Sequence, residues 1–342
     1  MRTFSPASLA EALELRASEG TVPFAGGTDL MVRHRAKHGL PPTVPGPVMF
    51  VNALPELRRV RFADGGDLEI GASVSMAVLA DDPGERAACA TSGAALPEAL
   101  DAVPELLREA AASLGAPGLR NRATLAGNTA NASPAGDGVI ALYALDARVV
   151  LASVRGEREM PVAEFITGPG RTVLSGDEII VGFRVPAAGR ETTAAPETGP
   201  AGGPRKGLAV GTGSLPRPGT EETFWHYWRK VGTRRANALT KVSLAAFART
   251  AGGRVVSFAL AFGAVGPTVV RVPEAEALFA GRAAEDILAD TEGIVRRASG
   301  IMSPLIRPID DQRSTAAYRK TVAMNLAALA LERFAAHLKE TN

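Results

Sequence analysis

Two glycine-rich turns, far apart in the chain, carry residue types suited to holding an anion. The first reads Ala25-Gly26-Gly27-Thr28-Asp29-Leu30, between a short strand over residues 21–25 and a helical turn over residues 29–37. The second reads Thr124-Leu125-Ala126-Gly127-Asn128 and continues through a run of small and polar residues to Gly136-Asp137. Glycines let the backbone take φ > 0 and let it come close to a ligand. Hydroxyls, amides and free N–H groups at a helix start can then converge on phosphate oxygens. The alternative is a tight turn in which Thr28 or Asp29 caps the helix. Two such turns in one chain suggest a pocket for a ligand with a diphosphate.

Other chemistries find little support. Cys89 is the only cysteine, so this chain alone closes no disulfide and holds no iron–sulfur cluster. His34 and His38 have helical spacing, but no acidic residue completes a metal set. No G-x-S-x-G nucleophile turn occurs. A formal net charge of +2, with no basic run interleaved with aromatics, gives no reason to invoke nucleic acid. Neither a signal peptide nor an apolar membrane span is legible, and a cytoplasmic protein is expected.

These loops need elements to position them. With 342 residues, two domains are expected. Ser5-Pro6 reads as the start of a helix over residues 7–19, closed by Gly20. Residues 48–52 read as a buried strand, and residues 59–62 and 68–72 as a hairpin. Helices are expected over 96–114, 138–145, 274–278, 283–297 and 315–337, and strands over 146–153 and 254–262. The run 238–249 reads as a long strand or a helix, its alanine content favouring the helix. Residues 186–220, dense in glycine and proline, read as a flexible insertion. Strand–helix units followed by a mostly antiparallel section argue for an α+β fold.

Further motifs follow in order. They are Leu119-Arg120-Asn121, Gly168-Pro169-Gly170, Asp177-Glu178-Ile179-Ile180, Lys230-Val231-Gly232-Thr233-Arg234-Arg235-Ala236 and Ala264-Val265-Gly266-Pro267-Thr268 with Arg271. Pro308-Ile309-Asp310, Arg313-Ser314 and Tyr318-Arg319 close the series. With the two loops, and over nearly the whole chain, the sequence resembles the FAD-binding medium subunit of molybdenum hydroxylases, the group that includes xanthine dehydrogenase and carbon monoxide dehydrogenase.

The resemblance implies an α+β fold. An FAD-binding unit of the PCMH type, made of two small α/β subdomains, would span residues 1–176. A C-terminal α+β domain with a small antiparallel sheet would span residues 177–342. FAD would lie extended between them. Its pyrophosphate would meet Pro23, Phe24, Ala25, Gly26, Gly27, Thr28, Asp29 and Leu30, and also Thr124, Leu125, Ala126, Gly127 and Asn128. Leu114 falls at an adenine contact, Asp137 at the ribityl chain and Ile180 beside the flavin. Lys230 falls near the flavin's pyrimidine end, and Trp228 where relatives can carry a shielding aromatic. From the residues alone, Asp137 could instead cap a helix, Ile180 could be strand core, and Lys230 could belong to a surface basic cluster. Arg313 and Ser314 read as part of a capping loop ahead of the last helix.

The resemblance implies electron transfer within a hetero-oligomer. A molybdenum-cofactor large subunit and a [2Fe-2S] small subunit would be the partners, and this chain would pass electrons to a terminal acceptor. A self-sufficient flavin oxidoreductase of the same fold and a non-catalytic assembly subunit are the alternatives.

Overall fold

The computed structural model describes residues 2–35, 43–81, 99–186, 222–234 and 237–341. His38, Cys89 and the expected insertion, apart from Pro186, lie outside the described residues.

In chain order, β1 (Thr3–Phe4), α1 (Leu9–Glu19), β2 (Val22–Phe24), α2 (Leu30–Arg33) and β3 (Val48–Phe50) come first. The three strands form a parallel sheet in the order β1-β3-β2. Ser8, rather than Ser5, caps α1. Its Oγ accepts from Glu11 N at 3.2 Å while the Glu11 carboxylate accepts from Ala7 N at 2.7 Å. A hydroxyl followed three residues later by a glutamate makes this reciprocal start, and the Ser5-Pro6 pair lacks the glutamate. Gly20, at φ 60°, ends the helix as expected.

The hairpin of β4 (Val60–Phe62) and β5 (Leu68–Gly71) follows, then α3 (Met76–Leu79), α4 (Glu105–Ala112), α5 (Pro117–Arg120), α6 (Leu125–Ala130) and α7 (Asp137–Ala144). The helix expected over 96–114 is shorter, and residues 96–98 lie outside the described residues. Pro104 cannot sit inside a helix, so α4 starts after it. The Arg108 guanidinium ties down the carbonyls of Val103 and Leu100 just upstream.

Next come β6 (Arg148–Ser153), β7 (Gly156–Pro161), α8 (Val162–Phe165), β8 (Ile166–Gly168), β9 (Arg171–Thr172) and β10 (Ile179–Val185). An antiparallel sheet runs β4-β5-β10-β6-β7. Its central strand β10 pairs with both β5 and β6. A division of the chain at 176/177 would part that strand from the sheet's own section, so we place the division after Val185.

The last section holds β11 (Glu222–Val231), β12 (Val242–Ala251), β13 (Arg254–Gly263) and β14 (Val270–Arg271) in one antiparallel sheet. Helices α9 (Pro273–Glu276), α10 (Ala284–Ala289), α11 (Thr291–Met302) and α12 (Ala316–Thr341) follow. The alanine-rich run expected to be helical is the strand β12. Ala245 and Phe247 face the N-terminal core, whereas Leu244, Ala246 and Ala248 face the core under α12. A strand buried on both faces loses its polar alternation, and its alanines let both layers come close. The helix expected over 283–297 is two. Asp290 at ψ 42° breaks it and restarts α11 by accepting from Gly293 N at 3.1 Å.

Helix α7 sits between the sections with all eight residues buried. A helix apolar all round has no face for water. Gly263 of β13 lies against it, where a Cβ would fall 2.1 Å from Ile140 Cδ1.

Glu178 anchors the turn before β10. Its carboxylate takes Arg158 Nη2 at 2.8 Å and Ser175 N at 2.8 Å, and these hold it down to about 2, Arg158 first. That stabilisation is present above the ordinary value of 4.5 and lost as pH falls from there to about 2. Glu178→Gln is therefore expected to melt below the parent at pH 7, with the deficit shrinking through that acid window. Thermal melts from neutral pH downward check this, and a deficit that does not change with pH would refute it.

Candidate functional site

The two glycine turns meet. A Cβ on Gly26 would stand 1.8 Å from the Arg122 carbonyl oxygen, so only glycine allows this approach of one loop to the other. Gly27 sits at φ 72°, and a Cβ there would strike the Phe24 ring at 2.3 Å. Phe24 is held in turn by an edge contact to Phe50, 5.3 Å between centroids. In the second loop Thr124 caps α6, its Oγ1 accepting from Gly127 N at 3.1 Å. The segment before it is fixed by Met76 N donating to Ala123 O at 2.8 Å.

Together the loops wall a cavity of about 580 Å³. That lies within the roughly 300–1,000 Å³ common for small-molecule sites. Residues 23–30 line it, with Leu114, Thr124, Ala126, Gly127, Asn128, Asp137, Ile180 and Lys230. Leu125 does not. It is fully buried in the core, its Cδ1 close to Gly138, because the first position of α6 points inward. Trp228 is likewise absent from the wall, packing in the core shared with α7.

Asp29 is the N-cap of α2 but makes no side-chain capping bond, so its carboxylate stays on the cavity wall. Burial pushes that carboxyl up against the opposing pull of Arg33. Asp137 also fails to cap: it is the first residue of α7, and Gly136 is the N-cap. Its carboxylate instead takes Lys230 Nζ at 2.6 Å on Oδ2, and the Thr240 hydroxyl lies 3.3 Å from Oδ1. Lys230 Nζ donates also to Ser113 O at 3.0 Å, and its side chain is only 12% exposed, so it belongs to no surface cluster. Burial pushes the Asp137 carboxyl up, with Lys230 and Thr240 pulling it back. Asn128 lines the cavity, and its Oδ1 is buried with no hydrogen-bond partner.

Several wall residues escaped the sequence reading: Val51, Ala72, Ser73, Arg33, Asn131, Thr240 and Arg313. Arg33 is bonded to Asn131 Oδ1 across the mouth between the loops. Its spacing after Asp29 was the one legible hint. Thr240 arrives from a distant loop and gave none, and Arg313 stood in a motif read only as a capping loop ahead of the last helix.

The family model described as "FAD binding domain in molybdopterin dehydrogenase" matches residues 1–188, and "CO dehydrogenase flavoprotein C-terminal domain" matches residues 227–334. The chain is 28% identical to the xanthine dehydrogenase FAD-binding subunit of Escherichia coli O157:H7 over 79% of this chain and 76% of that one. It is 26% identical to the carbon monoxide dehydrogenase medium chain of Hydrogenophaga pseudoflava, covering 96% and 94%. Among solved structures, carbon monoxide dehydrogenase from Hydrogenophaga pseudoflava superposes with a TM-score of 0.73 at 24% identity over 97% and 96% of the chains. Quinoline 2-oxidoreductase from Pseudomonas putida 86 gives 0.68 at 20% identity over 99% and 98%. The two structural likenesses concern the fold.

Breaking a buried ion pair from one side leaves an uncompensated charge, at about 3–5 kcal/mol. Lys230→Met is expected to destabilise the protein by that order at pH 8. The loss should shrink as pH falls to and below the ordinary carboxylate value of 3.8, under which Asp137 is protonated folded or unfolded. Adding Asp137→Asn should recover part of it. Urea unfolding of both single variants and the double variant gives the coupling; additive losses would show that the pair does not matter.

Proposed function

The chain belongs to the family of FAD-binding domains of molybdopterin dehydrogenases and takes FAD as its cofactor, and we propose that the cavity between its glycine loops is where FAD is held. The observation that carries this is the contact at Gly26, which joins two loops from separate parts of the chain into one small-residue wall. The residues fit the group. A diphosphate needs backbone close by, and Gly26 and Gly27 remove the side chains that would keep it away. Thr28 adds a hydroxyl at the wall. Asp137 offers a carboxylate to sugar-alcohol hydroxyls, and Leu114 and Ile180 offer apolar contact for the ring systems.

Bound there, FAD supplies redox chemistry that no amino-acid side chain has. This chain's residues hold it, exclude water and set the local charge. We infer that the chain works as the electron-transfer subunit of a hetero-oligomer. A molybdenum-cofactor large subunit would oxidise the substrate, and a [2Fe-2S] small subunit would bring the electrons. This chain would hand them to a terminal acceptor. The single cysteine supports a division of labour, because a cluster needs several thiolates from another chain.

Acid precipitation of the purified protein should leave FAD in the supernatant, since neither loop holds a histidine or cysteine to bond it covalently. Gly26→Ala, which pushes the loops apart, should lose most of that FAD. An unchanged flavin content in this variant would detach the cavity from the cofactor. A separate anaerobic test follows the flavin absorbance of the lone chain mixed with purines, aldehydes or heteroaromatics. Little bleaching is expected until the partner subunits are added; rapid bleaching without them would make the chain a self-sufficient oxidoreductase.

A further inference from the structure

We propose that Arg313 is a flavin-binding residue, whose guanidinium donates to the carbonyl edge of the isoalloxazine's pyrimidine ring and supplies the positive charge there. This rests on the reading of the cavity as the FAD site.

Among the described residues three cationic side chains line the cavity: Arg33, Lys230 and Arg313. Two are already engaged. Arg33 is bonded to Asn131 Oδ1, and Lys230 meets Asp137 Oδ2 at 2.6 Å. The pairing with Asp137 offsets the charge that Lys230 could offer a ligand. Among the described residues no carboxylate or carbonyl accepts from the Arg313 guanidinium, and its Nε is buried without a hydrogen-bond partner. The Nε has almost no accessible surface, so it is the guanidinium's other donors that a ligand at this cavity wall would meet.

The turn that carries Arg313 is built to hold it in place. Asp311 Oδ1 accepts from Arg313 N at 2.7 Å and from Ser314 N at 3.4 Å, and it is also bonded to Arg319. Asp311 lies within electrostatic reach of Arg313, yet its hydrogen bonds go to the backbone and to Arg319. The Asp311 carboxylate therefore shapes the turn, and among the described residues no hydrogen bond joins it to the Arg313 guanidinium.

The turn's attachments choose the end of the ligand. Arg307 N donates to Val265 O at 2.9 Å, and the neighbouring Ala264 N donates to Pro134 O at 2.8 Å. Five residues after Arg313, the Tyr318 ring lies 5.4 Å from Lys241 Nζ, and Lys241 follows Thr240, whose hydroxyl approaches Asp137. The Arg313 loop is thus tied to the Pro134–Asp137 and Thr240 side of the cavity, while the loops suited to the diphosphate are at Gly26 and Gly127. A planar fork of donors matches the carbonyl-rich ring edge, and its charge stabilises the flavin most when the flavin is reduced.

The test uses full-length apoprotein, wild type and the variants Arg313→Gln and Arg313→Lys, each checked for an unchanged melting temperature. FAD and riboflavin, which has no phosphates, are titrated by flavin fluorescence quenching, and the reduction potential of bound FAD is measured by dye equilibration. Arg313→Gln should weaken both flavins by about tenfold or more and move the potential to more negative values. Arg313→Lys should recover part of the potential and less of the affinity. Unchanged affinity and potential in Arg313→Gln would overturn the proposal. So would a loss confined to FAD with riboflavin and potential unchanged, which would move Arg313 to the diphosphate. Wild-type protein that binds no FAD would instead overturn the reading of the cavity itself.

Discussion

A carboxylate taken out of water must be given a partner, and Asp137 is where this fold meets that requirement. It opens α7, a helix with all eight residues buried, and its partners Lys230 and Thr240 come from the other section of the chain. One buried charge thus joins the cavity floor, the start of a core helix and the edge strand β11. In a low-dielectric setting the attraction is strong, but so is the penalty for losing either side. The elements around it are consequently fixed relative to one another more tightly than their apolar contacts alone would require.

The opposite end of α7 is held in the same manner. Arg271 of β14 donates to the Tyr143 carbonyl at 2.6 Å and to Asp146 at 2.8 Å, while Glu276 takes its other nitrogens at 2.6 and 2.7 Å. Burial works against the arginine's charge, yet Asp146 and Glu276 outweigh it and raise its pKa. A negative group at the helix start and a positive one at its end both suit the helix dipole, at about 0.3–1 kcal/mol each. Between them, the missing side chain of Gly263 lets β13 come against Ile140.

Much of this was legible where local chemistry decides. The glycine turns announced a close approach because no other residue suits Gly27 at φ 72°, and Gly20 marked its helix end for the same reason. The α+β class followed from the order of elements. What was not legible is what tertiary packing decides. The alanines of β12 look helical until both faces are seen to be covered. Leu125 sits in the right loop with its side chain on the wrong side, a matter of helix phase and not of composition. Asp137 looked like a cap because its future partner lay 93 residues away. Arg313 looked like part of a capping loop, and the capping is real, but Asp310 and Thr315 perform it, accepting from Ala316 N and Tyr318 N, and the Arg313 Nε makes no hydrogen bond among the described residues.

The same geometry makes binding and cohesion inseparable. The cavity draws wall residues from the segments 23–33 and 114–137, Leu125 excepted, on one side and from Lys230, residues 237–240 and Arg313 on the other. Asn237, at φ 48°, donates its N–H to Gly115 O at 3.2 Å, so a strained backbone position also helps close the seam. Such a conformation persists only where its surroundings over-determine it. A ligand contacting both sides adds its own contacts to those of Asp137 and Arg271 and stabilises the folded chain by mass action. A loosened seam would in turn weaken the ligand's grip, because each side presents only part of the wall. The ion pairs that hold α7 are therefore part of the binding site, although Arg271 lies outside the cavity.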